Sequence, residues 1–137
     1  MRQQTSMDFE GVIIEESLSN KSLLNDIEIK STKIEEATPR HKTPWLSQWT
    51  LHTVTISESR ADQVAKALSN SLDYSHGTSW YADFKNDTTH YIIFQNKIFV
   101  IDRSKKEDYE KATAYGISLG IPPYQVDFAP NVVVWER

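Results

Sequence analysis

The sequence predicts an α+β fold: a two-layer sandwich in which an antiparallel sheet carries two helices on one face, a variant of the ferredoxin-like arrangement. Three observations carry that prediction. Residues Ser79 to Asp102 read as a three-stranded antiparallel meander, with turn residues between runs of two-residue alternation. Two segments, beginning near Ala61 and Ser104, repeat apolar residues at helical spacing. From Gln48 onward the elements follow as strand, helix, strand, strand, strand, helix, strand, an order that lets both helices lie on one side of a sheet.

Taken in order along the chain, Val12 to Glu16 is a β-prone run after Gly11, Ser19 to Asn25 suits a brief helical turn, and Ile27 to Ile34 alternates like a half-exposed strand. These two N-terminal strands are expected to extend an edge of the sheet or to cover part of its free face. Ala37 to Ser47 fits neither period, holds Pro39 and Pro44, and reads as a loop whose length invites a functional role. Gln48 to Ile56 resumes alternation. Ser57 or Ser59 can cap the next helix, whose stripe is Ala61, Val64, Ala65, Leu68 and Leu72. The second helix is bracketed by Ser104 and Glu107, spaced as a capping box, and by Gly120 with Pro122 and Pro123. Its inner face is Tyr109, Ala112, Gly116 and Leu119. Alternation at Tyr124, Val126 and Phe128, and the run Val132 to Trp135, add further strand signals.

At 137 residues the chain holds one core and is short for two. Residues 9–137 therefore read as a single α+β domain and residues 1–8 as a flexible tail. With 25% charged and 39% apolar residues the profile is globular rather than disordered. Cysteine is absent, which excludes disulfides, thiolate metal sites and cysteine nucleophiles and leaves the cytoplasm as the default compartment. The N-terminus lacks a signal-peptide core, and no run approaches the roughly 18 to 20 apolar residues of a membrane helix. A net charge of -4 disfavours a nucleic-acid footprint. Neither membrane nor nucleic acid is an expected partner.

With Asp87-Thr88 and Asn96-Lys97 as two-residue turns, the meander sorts into two faces. One collects Trp80, Ala82, Phe84, Tyr91, Ile93, Ile98 and Val100, a core face. The other collects Tyr81, Asp83, Lys85 and His90 beside Ile92, Phe94, Phe99 and Ile101. That second face is apolar at one end and ionisable at the other, so it needs a partner subunit, a ligand or another layer of the same chain.

Its ionisable end supplies the candidate catalytic residues, His90 as proton carrier, Asp83 as its charge partner and Lys85 as a substrate anchor, with Tyr81 and Phe94 lining a ligand site. Ordinary cross-strand charge pairs explain the same residues more plainly. Arg40, with His41 and Lys42, precedes Trp45 and Trp49, a mix suited to holding an anion against an aromatic surface. The histidines His41, His52, His76 and His90 lack the short spacings of a metal motif, so no metal is expected. No phosphate-cradling glycine motif or nucleophile elbow occurs, and no cofactor is expected.

The phrases FEGVIIEES, TPWLSQWTLHTV, WYADFKND with HYIIF, and YGISLGIPPYQVDF resemble those of a family of small uncharacterised prokaryotic proteins, across most of Phe9 to Phe128. The resemblance implies no catalytic or binding residue. From the residues themselves, the preferred reading is a homodimer whose sheets face each other and enclose a small polar or anionic ligand. The alternatives are a small metabolic enzyme using His/Asp acid–base chemistry, and a protein-interaction module.

Overall fold

Six strands join in one antiparallel sheet among the residues that the computed structural model describes, which are 8–36, 46–74 and 80–121. They are β1 (Phe9–Ile14), β2 (Glu28–Glu36), β3 (Gln48–Ile56), β4 (Ala82–Lys85), β5 (Thr89–Phe94) and β6 (Lys97–Asp102), in the spatial order β2-β3-β1-β4-β5-β6. Helix α1 (Ala61–Ser71) joins β3 to β4, and α2 (Lys106–Ser118) follows β6. The fold is therefore α+β, as expected. Arg40 and Trp45, with the rest of the 37–45 loop, His76 and the strand signals after Ile121 lie outside the described residues.

The β4–β5 pair forms in the register read from its alternation, with Lys85 facing His90 and Phe84 facing Tyr91, whereas β5–β6 is shifted and Ile93 faces Ile98. Asn86 makes the first turn, its side-chain carbonyl accepting from the Thr88 and Thr89 amides at 3.0 and 2.8 Å. The second turn is Gln95-Asn96 instead of Asn96-Lys97, because Phe94 pairs with Lys97 and Asn96 is the residue that adopts a positive φ of 60°. The slip moves each partner by two residues, so every side chain keeps its predicted face.

Of the two N-terminal strands, β2 takes an edge of the sheet as expected and β1 departs from expectation. Instead of lying at an edge, β1 is central, antiparallel to β3 on one side and to β4 on the other. Consequently β3 and β4 run in the same direction with β1 between them, linked by α1 as a split β-α-β unit. A ferredoxin-like sheet would fill that slot with the strand following β4. Here the slot is taken, and the tight turn after Lys85 sends β5 and β6 outward.

The helices also depart from expectation, lying over opposite faces of the sheet. Val64, Ala65, Leu68 and Leu72 of the first helical segment pack with Phe9, Ile13, Val54, Phe84, Tyr91 and Ile93. Tyr109 and Ala112 of α2 pack instead with Tyr81, Ile92, Phe94 and Ile101. The reason is energetic. Burying a large apolar side chain contributes about 1.5–3 kcal/mol, so leaving those four bare would forfeit roughly 6–12 kcal/mol, comparable with the ~5–15 kcal/mol net stability of a domain. The chain covers its second apolar face with its own α2, which removes the need for a facing sheet from another subunit.

Local signals fared differently at the ends of α2. The capping box does not form, because the Ser104 amide and hydroxyl both donate to Asp102 Oδ1, at 2.9 and 2.7 Å, and the helix begins at Lys106. At the other end Gly120, at φ 91°, donates to Ile117 O while Ile121 donates to Gly116 O, the paired bonds of a Schellman stop.

Tyr91 on β5 donates to Asp62 Oδ1 on α1 at 2.5 Å, and burial, then the hydrogen bond and charge of Asp62, push its phenol up to about 12. Burial also raises Tyr74, whose hydroxyl donates to Trp80 O at 2.7 Å. A phenol harder to ionise when folded stabilises the fold below its ordinary pKa of 10.0 and loses that contribution as pH rises towards about 12. Melting temperature is expected to fall across that window in step with tyrosinate absorbance, and Tyr91→Phe to flatten the fall. A parallel fall in the variant would assign it to other groups.

Candidate functional site

His90 on β5 and Asp83 on β4 share a face because their strands pair in the register given above, and the His90 Nε2 lies 2.8 Å from Asp83 Oδ2. The other ring nitrogen, Nδ1, lies 3.1 Å from the Tyr109 hydroxyl on the first turns of α2. The Arg103 guanidinium, in the turn before that helix, acts on the same phenol and lowers its pKa against the effect of burial. With the ring protonated at Nε2, the Tyr109 hydroxyl donates to His90 Nδ1 and Nε2–H donates to Asp83. A chain of hydrogen bonds thus runs from Tyr109 through His90 to Asp83, with Arg103 beside its phenol end.

The chain is enclosed. Tyr109, His90 and Asp83 are only 2%, 3% and 8% exposed, sealed by α2 above and the sheet below. Burial raises the Tyr109 phenol, with the Asp83 charge adding to it and Arg103 opposing, so the phenol stays protonated at neutral pH. Lys85 pairs opposite His90 in the ladder but is exposed and stands outside the buried chain. Tyr81 and Phe94 are buried against each other at a 6.1 Å ring separation, and Phe94 also meets Phe99 and Tyr115 edge-on. The structure therefore unites Asp83 and His90 as predicted, and puts Tyr81 and Phe94 in the core under α2 instead of in an open pocket.

Arg103 connects this buried chain to the surface. Its Nη1 donates to Asn86 O at 2.6 Å and its amide to Thr88 O at 3.0 Å, so the side chain is held at a junction of two turns. Its Nε is enclosed without a hydrogen-bond partner. Asp87, Thr88, Asp102, Arg103 and Ser104 line an open groove of about 580 Å³ there. The two Ser104 donors hold the Asp102 carboxyl below its usual range, so it is charged at neutral pH.

Sequence reading missed Tyr109 as a partner of His90, and Arg103 beside it. The available signal was the inward phase of Tyr109 one helical turn beyond the strand end. It also missed a second histidine link: His52 Nε2 lies 2.8 Å from Glu15 Oε1 and Nδ1 lies 2.9 Å from Thr32 Oγ1. With Glu16, which accepts from the Thr50 amide and hydroxyl at 2.7 and 2.8 Å, this link fastens the β2–β3 hairpin to the turn after β1. No group of three or more metal-ligating side chains occurs among the described residues. Among them, too, no helix is long and apolar enough to cross a membrane.

Comparison with protein-family models, curated proteins and solved structures finds no match. The chemistry of the site therefore has to be argued from its own geometry.

Proposed function

We propose that the protein is a small-molecule-binding domain whose ligand lies in the groove between the β4–β5 turn and the β6–α2 junction, with Arg103 as its anchor. The observation that carries this reading is the fixation of Arg103: its guanidinium is held by Asn86 O, its amide by Thr88 O, and its charge acts on the Tyr109 phenol, itself hydrogen-bonded to His90. A guanidinium already immobilised by its neighbours loses little freedom on meeting a ligand, and that preorganisation favours binding.

The same geometry argues against His90 as the proton carrier of an enzyme. Both ring nitrogens are engaged and the ring is sealed beneath α2, so no lone pair reaches a substrate. His90 and Asp83 act here as positioning residues. Ligand chemistry follows from the lining: Asp87 and Asp102 offer two carboxylates against one guanidinium, which disfavours a bare anion. A small molecule with a carboxylate for Arg103 and an ammonium or hydroxyl group for the acids fits the groove, as a zwitterionic amino acid does.

Titration of isotope-labelled protein with α-amino acids is expected to shift the amide resonances of Thr88, Arg103 and Ser104, while acetate and inorganic phosphate shift them little. Loss of a charge-assisted contact in Arg103→Gln should weaken binding about 10- to 100-fold. Equal response to phosphate, or an Arg103→Gln variant that binds unchanged, would defeat the reading.

A further inference from the structure

The two edges of the sheet are built differently. Strand β2 carries Glu28, Lys30, Lys33, Glu35 and Glu36, and its ladder is broken by a register shift between Ile29 and Ser31. Charge and irregularity are the usual protections of a free edge. Strand β6 has neither: its register with β5 is unbroken, and its only charges are Lys97 and Asp102 at its two ends. Between them run Ile98, Phe99, Val100 and Ile101, and Val100 is 57% exposed.

The Arg103 amide bonds Thr88 O, which sets the phase of the ladder: Lys97, Phe99 and Ile101 turn their backbone groups towards β5. Ile98, Val100 and Asp102 turn theirs to the other side, where no strand pairs among the described residues. Two of the groups near the ends of this edge are already satisfied, since the Asn96 amide donates to Ser69 O and Asp102 O accepts from the Lys105 amide.

We propose that β6 pairs antiparallel with β6 of a second copy of this chain, in register about Phe99, so that two sheets continue into one. Only residues of the same face can sit opposite each other, which restricts a symmetric pairing to registers centred on a residue. Centring on Val100 places Lys97 against Arg103 of the partner subunit, a repulsive contact. Centring on Phe99 pairs Ile98 with Val100 of the partner subunit, and the reverse, giving four backbone hydrogen bonds and two apolar cross-strand contacts. It also sets Asp102 of the partner subunit opposite Asn96, beside a groove of about 380 Å³ lined by Lys66, Ser69, Asn70, Asn96, Lys97 and Ile98. Charge matches there, twice by symmetry, and the ladder ends where the Asn96 amide and Asp102 carbonyl are already in use.

Sedimentation equilibrium of the full chain is expected to show a dimer. Val100→Lys should yield a monomer with an unchanged circular-dichroism spectrum, and Val100→Thr should remain dimeric. The chain has no cysteine of its own, so introduced thiols report the register. Directly opposed residues lie about 5.5 Å apart, within disulfide reach, so the Ile98→Cys, Val100→Cys double variant should oxidise to a covalent dimer. Val100→Cys alone should not, since its symmetry mate is displaced along the strand beyond the roughly 7 Å limit. A monomeric wild type, a dimer indifferent to Val100→Lys, or ready cross-linking by Val100→Cys alone would each overturn the proposal.

Discussion

Gly11→Ala is expected to lower stability by about 3 kcal/mol, by parting β1 from β4 at the middle of the sheet. A β-carbon built on Gly11 meets Asp83 O at 2.1 Å, Phe84 Cβ at 2.6 Å and Phe84 Cα at 2.7 Å. All three belong to the backbone or its first side-chain atom, so no rotamer change relieves the clash, and the strand itself must move. Moving it disturbs the pairs Gly11 with Phe84 and Gly11 with Val54 together. Because Asp83 and Phe84 lie on both sides of that displacement, the edge contacts of Phe9 with Phe84 and Tyr91 loosen as well. Urea denaturation of wild type and variant measures the loss directly. A cost under about 1 kcal/mol, the ordinary range of a tolerated core substitution, would mean that β1 shifts freely and that its close approach to β4 is not required.

Asp83→Ala should also be costly, at roughly 1–3 kcal/mol, the range for leaving a buried hydrogen-bonding group without its partner. The substitution removes the carboxylate that accepts from His90 Nε2 beneath α2. Tyr109→Phe should cost less, about 1 kcal/mol, the net contribution of a typical hydrogen bond, here the one to His90. The distinguishing measurement is a double-mutant cycle between Asp83 and Tyr109, which do not themselves hydrogen-bond in the chain described. Coupling through His90 predicts an interaction energy above the ~0.3–0.5 kcal/mol seen for independent sites. Simple additivity would show that the links act separately and that Arg103 is not braced from behind.

How much of this was legible in the sequence depended on whether a signal was local. Alternation within 80–102 was enough to put Asp83 and His90 on one face, and even a turn misplaced by one residue left the faces intact, since the partner shift was an even number. The stripe from Ala61 to Leu72 and the glycine stop at Gly120 were likewise contained in a few neighbouring residues. What failed was long-range. Nothing in FEGVII says that β1 inserts between β3 and β4, because strand order is chosen by packing among distant segments. The side of the sheet taken by α2 was likewise underdetermined, although the apolar second face of the meander stated the demand that α2 meets. At the candidate site, His90 and Asp83 were readable as a pair, whereas Arg103 and Tyr109 join them only through the placement of α2. Ser104 shows the limit of local motifs: its spacing to Glu107 fits a cap, yet the nearer Asp102 carboxylate captures it.

The central position of β1 has a mechanical consequence. A pull applied through the first residues of the chain does not peel an outer strand one bond at a time; it drags on a ribbon gripped along both margins, where both sets of rungs must slide before either can release. Tension entering from that end meets a strand paired on both sides first, so a tether attached there should demand a higher rupture force than one attached at edge strand β2.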